Sequence, residues 1–477
     1  MMHIAGILLA ALSTTAPPAD ASALDVAAID AFIAEQLDAS GLPGMAIAIT
    51  RGDEVLHLRG YGHDADGVAI TEHTPFRVAS ISKSITATSV MQLVDEGRIG
   101  LDDAVVVHLP EFVTVDARAQ AITVRQLLDQ TSGMSDRGFP EISRPQPSTL
   151  AGAVERLRDA ELVADPGTEF NYHNPNAMVA ARLVEVVRGE PFAEVLRRHV
   201  FAPLGMGDSS TTDLDTQRTP GLARGHTFAY GFAVPVEGPG YFVGGAGGVV
   251  TTAADMARWL IANVNDGVAA DGTRLVSAEG MHTLHTPREA GGYALGWDAD
   301  GPLDAPTRID HGGCCFAWSA HQTLLPQTGH GIAVLFAGAS PLGADQMEIS
   351  EGVVAIVEGR PVERELPVTA GTIDRILGTI TLVVLGLVAL GVRRRGKWVQ
   401  HARQRPRWRA AVRVAPHLVV IAGCLAFPTL AGLLFGGRNV TWFSLFYGWF
   451  ALGVLVVCTG AGESALLLAR ALAWRRL

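Results

Sequence analysis

The sequence predicts an α/β domain built on one sheet, followed by three membrane-spanning helices. Two strand pairs stand at opposite ends of residues 24–358, and a helix-rich stretch separates them. Strands at both ends of a domain imply a single mixed sheet that the chain leaves and re-enters. After residue 370 come three long, uncharged apolar runs, each close to the length that crosses a bilayer.

The individual elements follow from local patterns. Met45–Thr50 and Val55–Tyr61 alternate around the turn Arg51-Gly52-Asp53, and Ala320–Leu325 and Ile332–Ala337 form a second hairpin. Helices are predicted at Leu24–Ala39, Ser80–Glu96, Val124–Gln130, Leu150–Asp159, Ala177–Val187, Ala253–Val264 and Ala344–Glu358.

Composition excludes several classes of function. Residues 1–370 hold 23 basic and 46 acidic residues, which argues against a nucleic-acid partner. The 15 histidines are scattered, with no HExxH or CxxC spacing, so no metal site is predicted and no cofactor is implied. Four cysteines without a regular spacing give no disulfide framework.

Residues 1–23 resemble a secretory signal peptide. An apolar stretch, Ile4–Leu12, is followed by small residues that end in Ala21-Ser22-Ala23, an A-x-A cleavage pattern. Lys and Arg are absent before the apolar stretch, so an uncleaved apolar leader is the alternative.

Charge around the apolar runs predicts the membrane topology. The predicted order is a domain at 24–358, a linker at 359–375, spans at 376–392, 414–437 and 439–462, a basic loop at 393–413 and a tail at 463–477. The basic loop carries nine Lys and Arg residues and no acid, so the positive-inside rule assigns it to the cytoplasm. The domain then lies outside the cytoplasm, in a multi-pass protein of the cell (inner) membrane.

The three spans predict an anchor, and the membrane is thus a predicted partner. A transporter is the alternative, but transporters carry ionisable groups at membrane depth. Here only His417 and Glu463 come near the spans, both close to predicted span ends. The sequence leaves the oligomeric state open.

Lysine usage singles out one residue of the domain. Of 37 basic residues only two are lysine, Lys83 and Lys397. A desolvated ammonium, unlike a guanidinium, can lose its proton and act as a base. Lys83 follows Ser80 by three positions at a predicted helix start, so both side chains face the same way. A Ser-x-x-Lys spacing also occurs by chance, but here it predicts a nucleophile with its proton acceptor.

Two further motifs carry polar groups that could converge on this pair. Tyr172 and Asn174 lie in the loop 166–174, where a phenol can share a proton with Lys and an amide can orient a substrate carbonyl. The second motif is Asp310-His311-Gly312-Gly313-Cys314-Cys315, whose glycines let a substrate approach a strand edge. The alternative for the first motif is a turn that leads into a helix. For the second motif it is a glycine-rich turn with a solvated histidine.

In this order, the motifs resemble the S-x-x-K, Y-x-N and H-x-G motifs of the class C-like branch of the serine beta-lactamase and penicillin-binding protein superfamily. The likeness extends over about residues 25–358. It includes Thr123–Leu128, Thr131–Met134, Pro166–Thr168, Gly244–Gly248 and Thr251–Ala253. The resemblance implies a beta-lactamase-like sandwich, in which an antiparallel sheet is flanked by helices and joined to an all-helical region.

The resemblance also implies roles for the motif residues. Ser80 would be the acylated nucleophile, and Lys83 and Tyr172 the pair that handles its proton. Asn174 would orient the substrate. The remaining implied groups are His311 and Gly313 as substrate-binding or orienting residues, and the backbone N–H groups of Ser80 and Cys314 as the oxyanion hole.

Two departures from the family pattern bear on the substrate. His311 stands where the lactamases have the cation that holds a substrate carboxylate, and Cys315-Phe316-Ala317 stands where relatives often have a Pro-Gly pair. Both changes favour an esterase or peptidase acting on a small-molecule or peptide substrate, including D-amino-acid peptides, peptidoglycan-related peptides or acyl-D-amino-acid caps of exported products. The alternatives are a beta-lactamase, a D-Ala-D-Ala carboxypeptidase, and, from another class, a non-catalytic sensor of beta-lactams or cell wall.

Overall fold

The strands at the two ends of residues 24–358 meet in one sheet. In the computed structural model, which describes residues 24–289, 292–363, 368–434 and 437–476, the strands are β1 Gly44–Arg51, β2 Glu54–Gly62, β3 Phe76–Arg77, β4 Ser210–Thr211, β5 His226–Ala229, β6 Phe232–Pro235, β7 Val249–Thr251, β8 Asp298–Asp300, β9 Arg308–Cys314, β10 Ser319–Leu325 and β11 His330–Phe336. The predicted signal peptide, residues 1–23, lies outside the described residues.

The main sheet has the order β2-β1-β11-β10-β9-β8, and every neighbouring pair is antiparallel. Both predicted hairpins are confirmed. The chain closes the sheet by pairing β1 with β11, where Ile47 lies opposite Val334. The sheet is therefore entirely antiparallel, as the resemblance implied. The mixed sheet predicted from the strand positions alone is wrong, because every strand runs opposite to its neighbours.

The predicted helices of the domain are present, with ends shifted by a few residues. The helices are α1 Val26–Ser40, α2 Ser82–Asp95, α3 Val105–His108, α4 Val124–Leu128, α5 Leu150–Glu155, α6 Asn174–Arg188, α7 Phe192–Leu196, α8 Ala253–Val264, α9 Ala278–His285, α10 Ala344–Val357, α11 Ala370–Arg393, α12 Arg395–Arg403, α13 Arg407–Leu425, α14 Phe427–Leu434, α15 Trp442–Gly448 and α16 Phe450–Arg476.

Helices cover both faces of the sheet because its central strands are apolar on both sides. Along β1, Met45, Ile47 and Ile49 pack against α1 and α10, while Ala46 and Ala48 face α8 and the larger core. All five side chains are fully buried. Burying one such aliphatic side chain stabilises the fold by about 1.5–3 kcal/mol, so this two-sided burial fixes the register of the sheet.

Helix α2 lies between the sheet and the helical region, which is formed largely by α4, α5 and α6. Its hydroxyl groups bind neighbouring backbone. Ser82 Oγ accepts a hydrogen bond from the N–H of Val249 at 3.0 Å, and Thr86 Oγ1 donates to the carbonyl of Gly245 at 2.7 Å. These bonds hold the segment 244–249 against the first turns of α2.

In the described part of the chain, three helices are long and apolar enough to cross a membrane: Ala370–Arg393, Trp408–Leu425 and Phe450–Arg476. The first is longer than the predicted span 376–392. The second predicted span, 414–437, is divided between α13 and α14. The third predicted span, 439–462, needs correction, because the long helix begins only at Phe450.

The residues before that helix, 437–449, combine aromatic and aliphatic side chains with Arg438 and Asn439, and they pack against the domain 24–358. Thr227 Oγ1 donates to the carbonyl of Tyr447 at 2.6 Å, for example. Hydropathy reflects composition and does not show which residues pack against the domain. The third predicted span therefore began too early in the sequence. Within the helices, His417 and Glu463 form a pair with Nδ1 and Oε2 2.5 Å apart. Each group thereby has a partner.

Candidate active site

Ser80 lies in a single 3₁₀ turn, Ala79–Ile81, which joins β3 to α2. The predicted helix Ser80–Glu96 thus begins as this turn, and its α-helical part starts at Ser82. Ala79, next to the serine, has a φ of +46°, a left-handed conformation that a side chain disfavours. Strained backbone of this kind is concentrated at functional sites. Ser80 lines a cleft of about 330 Å³.

Lys83 is held against this serine inside the domain. Its side chain is 2% exposed, its Nζ lies 3.0 Å from Ser80 Oγ, and the amine also donates to the carbonyl of Ala246 at 3.0 Å. The neighbouring Ser82 and Ser84 point away from this pair and bond to Val249 and Ile81. The structure therefore brings together the serine and the lysine of the first motif.

Tyr172 lies on the other side of the lysine. Lys83 Nζ is 4.8 Å from the centroid of the phenol ring, within cation–π range. In the described part of the chain the Tyr172 hydroxyl has no hydrogen-bond partner, so it is free for a substrate or water. Its ring packs edge-on against Tyr293 at 6.1 Å.

Asn174 is the first residue of α6 and lines the same cleft. Its Nδ2 donates to Oε1 of Glu141 at 2.7 Å. Glu141 is buried, and this burial raises the pKa of its carboxyl to about 7, against the hydrogen bond from Asn174. Sequence reasoning missed Glu141, because nothing in its local sequence marks it.

The third motif forms β9, which runs beside the nucleophile. A Cβ atom on Gly313 would lie 2.1 Å from the carbonyl oxygen of Val78 and 3.2 Å from the backbone nitrogen of Ser80. Only glycine fits there. This close approach places the end of β9, with Cys314, next to the Ser80 amide. The cleft is lined by both Ser80 and Cys314.

His311 is buried and not solvated, so the glycine-rich turn with an exposed histidine is wrong. Its Nδ1 lies 2.7 Å from the carbonyl oxygen of Gly312, which accepts only if Nδ1 carries the proton. Nε2 then accepts from the Tyr293 hydroxyl at 2.9 Å. Burial, reinforced by the charge of Lys83, lowers the pKa of His311 to about 3. His311 is therefore a neutral group that binds Tyr293.

A possible metal-binding group lies outside this cleft. Among the described residues, Asp310, His321 and Glu351 bring three ligand atoms within 4.8 Å of one another. Arg308 lies between them, however, 2.7 Å from the carboxylate of Asp310 and also paired with Glu351. The guanidinium balances both carboxylates, so this group is an ion-pair network.

A second cleft residue that the sequence did not reveal is Arg438. It precedes the third candidate membrane helix, yet it lines the same cleft as Ser80. Its Cζ lies 5.3 Å from the centroid of the Tyr172 ring, and its Nη1 donates to the Tyr172 carbonyl at 3.2 Å. The sequence separation of 266 residues left no local signal for this contact.

The fold and this arrangement define a class of proteins that have a Ser-x-x-Lys pair at the start of a helix beside an antiparallel sheet. The family model described as "Beta-lactamase" matches residues 29–352. This match covers more than half of the chain, and the chain belongs to the beta-lactamase family, whose members include serine hydrolases and penicillin-binding proteins.

Two curated relatives indicate the breadth of the family. "Penicillin-binding protein 4" of Amycolatopsis lactamdurans is 34% identical over 244 residues, which cover 50% of this chain and 63% of the relative. "Protein flp" of Staphylococcus aureus (strain MW2) is 26% identical over 313 residues, 64% of this chain and 62% of the relative. The chain thus spans less than two thirds of the length of these relatives.

Solved structures share the fold. An octameric penicillin-binding protein homologue from Pyrococcus abyssi has a TM-score of 0.61 at 26% identity, covering 72% of this chain and 80% of its own. The D-alanine carboxypeptidase AmpC from Burkholderia cenocepacia has a TM-score of 0.56 at 22% identity, covering 69% and 97%. EstCE1, a hydrolase with promiscuous acyltransferase activity, has a TM-score of 0.58 at 21% identity, covering 68% and 97%.

Proposed function

We propose that this protein is a membrane-anchored, extracytoplasmic serine hydrolase that cleaves an ester or amide through an acyl-enzyme on Ser80. The observation that carries the proposal is the 3.0 Å separation of Ser80 Oγ and Lys83 Nζ inside a buried site. A nucleophile within hydrogen-bond reach of a desolvated base is the arrangement that acyl transfer requires.

The proposed first step forms one bond and breaks another. Ser80 Oγ attacks the substrate carbonyl carbon, while its proton passes to a neutral Lys83 amine. The oxyanion is stabilised by the N–H groups of Ser80 and Cys314. When the tetrahedral intermediate collapses, the carbon–leaving-group bond breaks, and the leaving group takes a proton from the pair formed by Lys83 and Tyr172.

The second step restores the serine. Water attacks the acyl carbon and gives its proton to the same pair, the bond to Ser80 Oγ breaks, and the serine recovers its proton. Asn174 is proposed to orient the substrate carbonyl during both steps, because its amide lines the cleft. His311 and Gly313 are proposed to act through β9: His311 fixes Tyr293, and Gly313 lets the strand edge approach Ser80.

The proposed topology places the domain outside the cytoplasm and the basic loop 393–413 inside. Support comes from residues 437–449, which connect the second and third candidate spans and pack on the domain. These residues and the domain must share one side of the membrane. Protease protection in oriented vesicles tests this topology: the basic loop should be protected when the domain is cleaved.

Two other functions, those of a beta-lactamase and of a sensor, are distinguished from the proposed one by how the protein reacts with beta-lactams. A beta-lactamase would hydrolyse nitrocefin with steady turnover, and a sensor would bind a beta-lactam without turnover. The neutral His311 provides no cation at the β9 position where the lactamases of the family have one, which favours the esterase or peptidase. The D-alanine carboxypeptidase among the fold relatives keeps that activity as an alternative.

The test is steady-state hydrolysis by the full-length protein. Nitrophenyl esters, L- and D-peptides and nitrocefin should be compared in the wild type and in Ser80→Ala. The proposal predicts turnover of at least one ester or peptide that Ser80→Ala abolishes. Turnover that survives this substitution would contradict it.

A further inference from the structure

The segment 437–449, hereafter the membrane loop, joins α14 to the third candidate membrane helix and lies against the helical side of the cleft. The carboxylate of Asp136 is 2% exposed and lies 2.8 Å from Nε of Arg438. The same carboxylate accepts the backbone N–H of Asn439 at 2.9 Å. Nδ2 of Asn439 also donates to Oγ of Ser143 at 2.6 Å. Three polar contacts thus fix this end of the loop.

The other end of the membrane loop reaches the sheet side of the same cleft. Tyr447 stacks edge-on against Phe316 with ring centroids 5.4 Å apart, and Phe443 packs against Tyr241 at 6.1 Å. Tyr241 and Phe316 both line the cleft. Phe316 has a φ of +59°, a conformation unusual for a bulky residue. The membrane loop therefore borders the cleft from the Tyr172 side to the end of β9.

Arg438 directs its guanidinium from this loop into the cleft. Of its five N–H donors, two have partners in the described part of the chain, the Asp136 carboxylate and the Tyr172 carbonyl. Its side chain is 32% exposed and lines the cleft, so a ligand in the cleft can reach the guanidinium. A planar guanidinium with free donors binds a carboxylate in a bidentate manner.

The acidic groups of the cleft already have partners of their own. Glu141 accepts from Asn174, and burial raises the pKa of the glutamate to about 7. Asp215 accepts the N–H groups of Gly240 and Tyr241. Arg438 is the one arginine among the described residues that line the cleft. An anionic ligand group therefore finds its complement there.

The position of Arg438 relative to the reacting atoms indicates which part of a substrate it meets. Lys83 and Arg438 both lie within cation–π range of the Tyr172 ring. In the proposed mechanism the leaving group receives its proton from Lys83 and Tyr172. It must therefore lie beside that ring, where the guanidinium lies too.

We infer that Arg438 binds a carboxylate on the leaving group, so that the enzyme prefers amides and peptides that release a carboxylate-bearing residue. The inference rests on the proposed function for the cleavage reaction. The binding of a carboxylate by Arg438 does not depend on that function. The specificity residue of the active site then belongs to the membrane loop, and the membrane helices are part of the enzyme as well as its anchor.

The kinetic test uses full-length protein and N-acetyl dipeptides that end in either a free carboxylate or a carboxamide, in L- and D-series. In the better series, wild type should favour the acid over the amide by at least about tenfold in kcat/KM, because a charge-assisted bond contributes that much. Arg438→Gln should lose this preference, whereas Arg360→Gln, which alters an exposed arginine near the linker, should keep it. An unchanged preference in Arg438→Gln would overturn the inference.

Arg438→Gln leaves the buried Asp136 without its cation. The control is therefore the double variant Asp136→Asn/Arg438→Gln, which removes both charges. This double variant should lose the preference as well. An equal loss of rate on acid and amide, with the preference intact, would mean that Arg438 only supports Tyr172, and would also overturn the inference.

A binding measurement separates this inference from the proposed function. In Ser80→Ala protein, calorimetry should detect an N-acetyl amino acid but not its amide, and Arg438→Gln added to Ser80→Ala should abolish the signal. Carboxylate binding without any turnover in wild type would sink the hydrolase and leave the Arg438 site standing. Turnover in wild type together with equal binding of acid and amide would overturn the Arg438 site and leave the hydrolase standing.

Discussion

The Nζ atom of Lys83 lies 3.0 Å from the Oγ atom of Ser80, and separate contacts hold the two residues. The carbonyl of Ala246 fixes the amine, while the close approach of Gly313 supports the backbone beside the serine. Neither side chain has to move before a proton passes between them. The predictions below change one support at a time.

Replacing Lys83 by Arg keeps a long basic side chain and removes the neutral amine that accepts the proton. Because a guanidinium stays protonated, kcat/KM should fall by about 10²–10⁴-fold. Lys397→Arg is the matched control, since Lys397 is the other lysine of the chain and is exposed. Ester hydrolysis and thermal unfolding should be measured on both. A Lys83→Arg variant that keeps wild-type activity would rule out lysine as the base.

Gly313→Ala should inactivate the protein. The added Cβ would lie 2.1 Å from the carbonyl oxygen of Val78, so the backbone beside Ser80 has to shift. The adjacent Gly312→Ala is the control, because its Cβ meets only a side-chain carbon of His321 at 3.4 Å. Serine labelling by a fluorophosphonate should drop at least about tenfold in the first variant and little in the second. Equal labelling of the two would show that β9 does not support the nucleophile.

Glu141→Gln should change how stability depends on pH. Burial raises the pKa of Glu141 from its ordinary value of 4.5 to about 7. The folded protein therefore holds a proton that the unfolded chain releases between these pH values. Wild type therefore loses this contribution as pH rises from about 4.5 to about 7. The apparent Tm of Glu141→Gln relative to wild type should increase across that window and level off above it. A constant difference would mean that Glu141 is ionised throughout.

Gln322→Ala should destabilise the fold without touching the cleft. Gln322 is fully buried, accepts from Nε1 of Trp259 at 3.0 Å and donates to Oγ of Ser84 at 3.0 Å. Leaving these groups without partners costs about 2–4 kcal/mol, or roughly 5 °C in Tm for a domain of this size. The exposed Gln120→Ala should shift Tm by less than about 1 °C. Similar Tm values for both variants would contradict the structure of this core.

The sequence alone predicted the parts of the site that local pattern encodes. Ser80 and Lys83 are one helical turn apart, so their spacing is sufficient to bring them together. The hairpins and the helices of the domain follow from periodicity, and the structure confirms them within a few residues. The family resemblance supplied the antiparallel sheet and the convergence of Tyr172 and β9.

What the sequence could not provide depends on contacts between distant segments. Glu141 and Arg438 reach the cleft through tertiary packing, and neither has a motif of its own. Residues 439–449 continue without a charged residue into the third candidate membrane helix, and only the structure, in which the membrane loop packs on Phe316 and Tyr241, separates them from that helix. The burial that leaves His311 neutral is likewise a property of the assembled core.

The central claim is that Ser80 is acylated with the help of Lys83. The most direct measurement is mass spectrometry of the full-length protein after reaction with a fluorophosphonate or a slowly deacylated ester, with the adduct mapped by peptide. The account predicts one adduct, on Ser80, absent from Ser80→Ala and formed far more slowly in Lys83→Arg. An adduct on Ser82, Ser84 or any other residue, or labelling that persists unchanged in Ser80→Ala, would contradict it.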